Sequence, residues 1–274
     1  MNQEIIAGIV LCVFGLCLLL ISPNKIWAVS EKWKTVGGNR PSKSYVVITR
    51  LLGIVFLVVG IVLFFNEMRQ VINPKDTTRA EAFELWMKSP MPMVTLVKSF
   101  DVTRLYKFSR RRSMKFNMLL CWCIGKAASQ IAEFYDLPFE DKMVRFDQLA
   151  IGPVINNCKG GINYCDIPYS DDLQKFCQDY HDICNKAASQ CTNLCLDSEM
   201  MVIGTSAIIQ TEIDCIVNQY AKGFNNPMVM WGKYRKHWLK VTLPISFQFH
   251  HVQMDGGQAA QFLEKLQMTI NAIS

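Results

Sequence analysis

The chain has 274 residues, half of them hydrophobic and 19% charged, with 29 Lys and Arg against 23 Asp and Glu, a net +6. A disordered chain would be more polar and richer in charge, and a nucleic-acid binder would carry its excess charge on the folded part. Here residues 1–70 hold seven basic and three acidic residues, leaving 22 against 20 in the remainder, so a basic, very apolar N-terminal part precedes a near-neutral globular part.

Ile5 to Ile21 (IIAGIVLCVFGLCLLLI) runs 17 residues without a charge. Leu51 to Phe65 adds another 15, or 21 from Tyr45 if Arg50 snorkels. A spanning helix needs about 20 apolar residues, with roughly 17 at the short end. The backbone has no water to bond in a bilayer, so both segments are expected as membrane helices, at about 5–22 and 45–65. The first is a poor cleavable signal, with Glu4 as its only charge and no small-residue cleavage site. Gly8/Gly15 and Gly53/Gly60 each repeat at seven residues and would let the two helices pack closely. Ser22 to Ser44 reads as a basic loop carrying Trp27 and Trp33, residues that favour the membrane interface. This stretch resembles a small two-helix bacterial membrane domain of unknown function, and that resemblance carries no chemistry. The expected organisation is a membrane hairpin at 1–66, a polar linker at 67–77 within NEMRQVINPKDTT, and a globular domain at 78–274.

In the globular part, Thr78–Met87 starts helical and Val94–Ser99 is extended. Asp101 is placed to cap a short helix through Tyr106, and Lys115–Phe134 has helical apolar spacing. Residues 142–166 read as short strands broken at Gly160-Gly161. Ser170-Asp171-Asp172 opens a helix running to about Cys195. Strands follow at Met200–Thr205, Met228–Tyr234 and Lys240–His251, and Gln258–Ile273 is a closing helix. Interleaved strands and helices predict an α/β or α+β domain with a mixed sheet.

Eleven cysteines, an odd number without small-scaffold spacing, argue for free thiols in a reducing compartment. Cys177, Cys184, Cys191 and Cys195 fall on one face of one helix, and with His181 they allow a metal reading. A zinc site draws ligands from two separated pairs, and no second pair matches, so we read them as small buried hydrophobes and expect no metal. Cys121 and Cys123 point in different directions on their helix. Arg110-Arg111-Arg112 reads as a solvated loop, with contact to anionic lipid headgroups as the functional alternative.

The chemistry lies in PISFQFHHVQMDGG, Pro244 to Gly257. On a strand Phe247, Phe249 and His251 share one face, and Gln248 and His250 the other. A neutral imidazole arriving from an apolar face can take a proton from a hydroxyl near neutral pH. Asp255, four residues on, could order the turn or the ring. HHVQMDG resembles the active-site signature of the chloramphenicol acetyltransferase family. GKYRKHWLKVTLPISFQFHH is similar to that family's hairpin and histidine strand. IGTSAII (Ile203–Ile209) resembles its serine segment, RAEAFELW (Arg79–Trp86) its N-terminal helix, and YCDIPYSDDLQKF (Tyr164–Phe176) the opening of its central helix.

The resemblance implies the α/β two-layer CoA-dependent acyltransferase fold and a homotrimer with sites at subunit interfaces. It implies acetyl-CoA as co-substrate and a small-molecule alcohol as acceptor. His251 would be the general base for direct attack on the thioester, and Ser206 would stabilise the oxyanion. Asp255 and Arg79 would pair to hold the turn, and His250 would bond backbone or a partner copy. Trp86, Met228 and Met230 would border the acceptor, and Lys233 or Arg235 would meet CoA phosphates. Met230 stands where resistance enzymes carry threonine, and Trp86 where the family often has tyrosine or phenylalanine, so antibiotic resistance is set against transfer to a different alcohol. A non-catalytic, membrane-tethered small-molecule binder or scaffold is the alternative from another class. The five basic residues of the 22–44 loop, against Arg69, Lys75 and Arg79, would put the globular domain outside. Acetyl-CoA and unpaired thiols argue for a cytoplasmic domain on a multi-pass protein of the bacterial cell membrane, which is the expectation adopted. No nucleic acid is expected as partner.

Overall fold

The computed structural model describes residues 3–30, 41–67, 69–221 and 223–273. The chain divides into two compact units, Met1–Arg69 and Gln70–Ser274.

The first unit holds α1 (Gln3–Leu20), α2 (Pro23–Ser30) and α3 (Lys43–Glu67). Within α3, Lys43–Val62 has a mean hydropathy of 2.5 over 20 residues, long and apolar enough to cross a membrane. Ala7–Leu20 passes the same test only together with Pro23–Ser30, across a bend of 114°. The Ser22–Ser44 stretch is therefore partly helical, with Trp27 buried in α2. Trp33 and the loop cations Lys32, Lys34 and Arg40 lie outside the described residues, as do the side chains of Glu4 and Arg69. The glycines hold α1 against α3 at backbone contact distance. A Cβ on Gly15 would sit 2.7 Å from the Leu57 nitrogen, and one on Gly60 2.8 Å from the Gly8 oxygen. Arg50 reaches along α3 to the C-terminal end of α1. It donates to the carbonyls of Leu18, at 2.9 Å, and Leu19, capping the end of α1.

The second unit opens with β1 (Arg69–Ile72) and a 3-10 turn at Pro74–Asp76, so the expected linker is mostly structured. Then come α4 (Ala80–Trp86), β2 (Met93–Asp101), α5 (Thr103–Arg112) and α6 (Phe116–Ala128). Asp101 accepts from the Thr103 nitrogen at 3.0 Å and its hydroxyl at 2.6 Å, starting α5. Arg110–Arg112 form the last turn of α5 and not a loop, where the helix dipole favours cations. α6 stops at Ala128, short of Phe134, which lies in a 3-10 turn at Ala132–Tyr135. Next are β3 (Asp136–Phe139), β4 (Lys142–Phe146), β5 (Leu149–Asn156), β6 (Ile162–Tyr164) and β7 (Ile167–Pro168). Helix α7 (Leu173–Gln190) is capped by Asp172, which accepts from the Gln174 nitrogen at 2.8 Å. It ends where Cys191 turns left-handed, φ 52°. Cys195 therefore falls outside the helix, and the four-cysteine face does not exist as one stripe. All eleven cysteines are free thiols, and no group of metal-binding side chains is gathered among the described residues. Cys121 and Cys123 are both buried, and burial pushes the Cys121 thiol up to about 12.

The chain closes with β8 (Met201–Ile208), β9 (Met228–Gly232), β10 (Arg235–Lys236), β11 (Val241–His250) and α8 (Gly256–Ala272). The main sheet runs β10-β11-β9-β8-β5-β6, with β2 also on β11 and β7 on β5, while β1, β4 and β3 form a small second sheet. β5, β8 and β9 are parallel and β11 is antiparallel to both β9 and β2, so the sheet is mixed. Thr205, Val229 and Phe247 stand in register, and Phe247 packs on Phe134 and Phe262 at 5.9 and 4.6 Å. That row faces the helices and the core, where each fully buried ring contributes about 1.5–3 kcal/mol. Ser206, Met230 and Ser246 form the neighbouring row and so face the other way. An irregular segment covers that side: the Ile216 nitrogen donates to the Ser246 hydroxyl at 2.8 Å, and Gln248 donates to the Asn218 carbonyl at 3.0 Å.

Candidate active site

Strand β11 ends at His250, so His251 is the first residue of a turn. Its backbone nitrogen still donates to the Pro92 carbonyl at 2.9 Å. Asp255 closes the turn as N-cap of α8 in a capping box, with its own nitrogen donating to Gln258 Oε1 at 3.0 Å. Arg79, at the start of α4, ties the turn from 176 residues away. Its Nε donates to the Val252 carbonyl at 2.9 Å and its Nη2 to the His251 carbonyl at 2.6 Å and to Asp255 Oδ1 at 2.8 Å. Nη1 reaches Asp255 Oδ2. The guanidinium is 9% exposed and spends its donors on this one turn. Beside it the Asp255 carboxyl is held below its ordinary range, chiefly by the bond from Arg79. Asp255 is thus a fixed anion.

His251 Nδ1 lies 3.2 Å from Asp255 Oδ1, within ion-pair distance but not aligned as a hydrogen bond. Trp86 covers one face of the imidazole, with centroids 4.8 Å apart and planes within 4°. The ring remains 31% exposed. His250 points the other way, is buried, and accepts from the Val252 nitrogen through Nδ1 at 3.1 Å. Burial pushes its pKa down to about 4, with the neighbouring His251 adding to the effect.

Arg79, Trp86, His251 and Asp255 are therefore brought together. Ser206 is not. It stands level with Met230 and Ser246, two strand spacings from β11, and His251 lies five residues beyond Ser246, which puts the two backbone positions about 20 Å apart in one chain. Met228 stands opposite Gln248, nearer the His251 end, and Met230 is buried beside Ser206. Beyond the far end of these strands lies a cavity of about 580 Å³. Its lining includes Lys115, Asn117, Tyr180, Cys184, Lys233 and Tyr234. Lys233 is among them. Arg235 is not, because Glu212 and Asp214 engage its guanidinium. Sequence reasoning does not single out Lys115, Asn117 or Tyr180: the first two open α6 and the third sits on α7, and no motif links them.

Comparison with known proteins matches this architecture. Residues 68–267 match the family described as Chloramphenicol acetyltransferase, and residues 7–67 match a Family of unknown function (DUF6199). Chloramphenicol acetyltransferase 3 of Escherichia coli is 23% identical over 211 residues, covering 72% of this chain and 95% of the relative. Chloramphenicol acetyltransferase 2 of the same organism is 23% identical over 213 residues, covering 74% and 97%. A solved chloramphenicol acetyltransferase superposes with a TM-score of 0.65 at 20% identity, covering 74% of this chain and all of that one. The cubic core of the pyruvate dehydrogenase multienzyme complex shares the fold with a TM-score of 0.53 at 19% identity, covering 71% and 86%. Across residues 68–267, the chain belongs to the chloramphenicol acetyltransferase family of acyltransferases.

Proposed function

We propose that residues 70–274 transfer an acetyl group from acetyl-CoA to an alcohol, with His251 as general base. The observation that carries this is the Arg79–Asp255 clamp, which fixes the turn bearing a partly open imidazole stacked on Trp86. The acceptor's O–H proton passes to the His251 ring as its oxygen attacks the thioester carbonyl carbon. Ser206 donates to the resulting oxyanion. The C–S bond then breaks, and the departing sulfur takes the proton back from the imidazolium, leaving ester and free thiol. Asp255 takes no proton, since its charge is already balanced by Arg79. Trp86, Met228 and Met230 border the acceptor.

The separation of Ser206 from His251 supports a site shared between copies, His251 from one and Ser206 from the next, in a homotrimer. The 580 Å³ cavity on the Ser206 side, with Lys115 and Lys233 in its wall, suits a phosphate-bearing thioester. The N-terminal unit anchors the chain in a bacterial membrane through α3, and acetyl-CoA supply together with the free thiols favours a cytoplasmic catalytic unit. A thiol-release assay with acetyl-CoA and a panel of hydroxyl compounds, chloramphenicol included, tests the reading. Acceptor-dependent release lost in His251→Ala supports it. Ligand binding with no release under any acceptor would turn the chain into a binding protein.

A further inference from the structure

The hairpin joining β10 to β11 turns through Trp238 and Leu239, which are 97% and 78% exposed. The turn is closed by the His237 nitrogen donating to the Lys240 carbonyl at 2.8 Å. Two-residue hairpin turns favour Asn, Asp or Gly, which tolerate positive φ. Neither Trp238 nor Leu239 is among the positive-φ residues, so the backbone does not explain them. A Trp and a Leu side by side in water at a loop tip therefore need a partner.

Cations surround this tip. An open groove beside it is lined by Arg104, Lys107, Leu239 and Lys240, with Asp101 its one carboxylate. Lys236 lies over the Tyr106 ring at 4.7 Å, and Arg110 is near enough to repel it. Arg104, Lys107 and Arg110 are exposed along α5. These five cations crowd one corner of a region, residues 71–274, that holds 22 basic and 20 acidic residues in all.

We propose that this corner is a docking surface for an anionic lipid bilayer, with Trp238 and Leu239 entering the headgroup boundary and the cations meeting lipid phosphates. Trp seats at that boundary, and long Lys and Arg stems bury methylenes while their charges stay wet. Juxtamembrane cations are attracted by anionic leaflets. A nucleic acid would satisfy the cations but offers the Leu239 side chain no apolar interior. The same chain carries a helix apolar enough to cross a bilayer, so a lipid surface is at hand.

The test uses the full-length chain reconstituted in vesicles of phosphatidylcholine alone or with one third phosphatidylglycerol, each containing lipids brominated near the headgroup end. The fluorescence difference between the wild-type chain and Trp238→Phe isolates the Trp238 signal. At least twofold quenching of that signal in the anionic vesicles is expected, with most of it lost in neutral vesicles, in 1 M salt, and in Lys107→Glu/Arg110→Glu. Acetyl transfer by the variants, or an unchanged unfolding midpoint, reports that they are folded. An unquenched Trp238 in anionic vesicles overturns the proposal. So does quenching by added oligonucleotide alone, or self-association that disappears in Trp238→Ser/Leu239→Ser without vesicle contact.

Discussion

The two ends of the main sheet in the second unit are finished in different ways. At one end the turn after β11 is tied by four donations from Arg79, roofed by Trp86, and left with a partly open imidazole. At the other end is a cavity of about 580 Å³ with two lysines in its wall, and Ser206 lies on the strand leading to it. One end has an imidazole held in place, and the other has room and a hydroxyl. About 20 Å separates them along a rigid sheet, so neither becomes the other by side-chain movement. Under the proposed reaction each chain supplies half of a site, and the copy beside it supplies the rest.

Under the proposed reaction, changes to the two reacting groups, one at each end, should be the most damaging. His251→Ala removes the proton acceptor and should lower kcat about 10²–10⁴-fold with the fold intact, read by steady-state kinetics beside thermal unfolding. Ser206→Ala should cost about 10²–10³-fold in kcat, as expected for one oxyanion donor, with KM for the acceptor little changed. Arg79→Ala strips the turn of its clamp. Asp255 is half exposed, so we expect a loss of about 2–3 kcal/mol in chemical unfolding, smaller than for a fully buried pair, together with a fall in kcat. His250 should show itself in acid. Its folded-state pKa is pushed to about 4, so the unfolded chain binds a proton near its ordinary value of 6.5 while the folded chain resists. Stability should therefore fall between pH 6.5 and pH 4 by up to about 3 kcal/mol from this residue, and His250→Gln should flatten that slope. The smallest effect belongs to the cavity wall. Lys233→Gln should raise KM for acetyl-CoA roughly 3–10-fold through a lost phosphate contact. Arg235→Gln should change it less, because Glu212 and Asp214 already occupy that guanidinium.

Features set by neighbours in sequence were the most legible. The apolar runs of α1 and α3, the Asp172 cap of α7 and the alternation along β11 follow from periodicity and capping chemistry. His251 and Asp255 are four residues apart on one turn, so their proximity is local. Other features depend on contacts that no short window contains. β3 was missed because Asp136–Phe139 is four residues long, carries Pro138, and is a strand only through pairing with β4. β1 reads as linker for the same reason: its four residues, Arg69–Ile72, lie in a polar stretch and gain strand geometry from a sheet formed by later segments. The spacing carries α7 on to Cys195, because nothing in SQCTNLC announces that Cys191 takes the left-handed cap usually given to glycine. That Arg50 finds its partners in the C-terminal carbonyls of α1 is a pairing between two helices that neither apolar run states. The approach of Arg79 to the turn spans 176 residues, and only the family resemblance suggested it. Trp86 reads as bordering the acceptor, and its stacking on His251 depends on where α4 packs, which the sequence does not state.

The shared site can be tested by mixing two dead halves. Full-length chains carrying His251→Ala and Ser206→Ala, with different affinity tags, would be expressed together and purified through both tags. If one chain supplies the imidazole and its neighbour the serine, some interfaces in the doubly tagged assemblies hold both wild-type residues, and turnover should rise at least roughly tenfold above either parent. Turnover no greater than the sum of the two parents would contradict a site built from two copies.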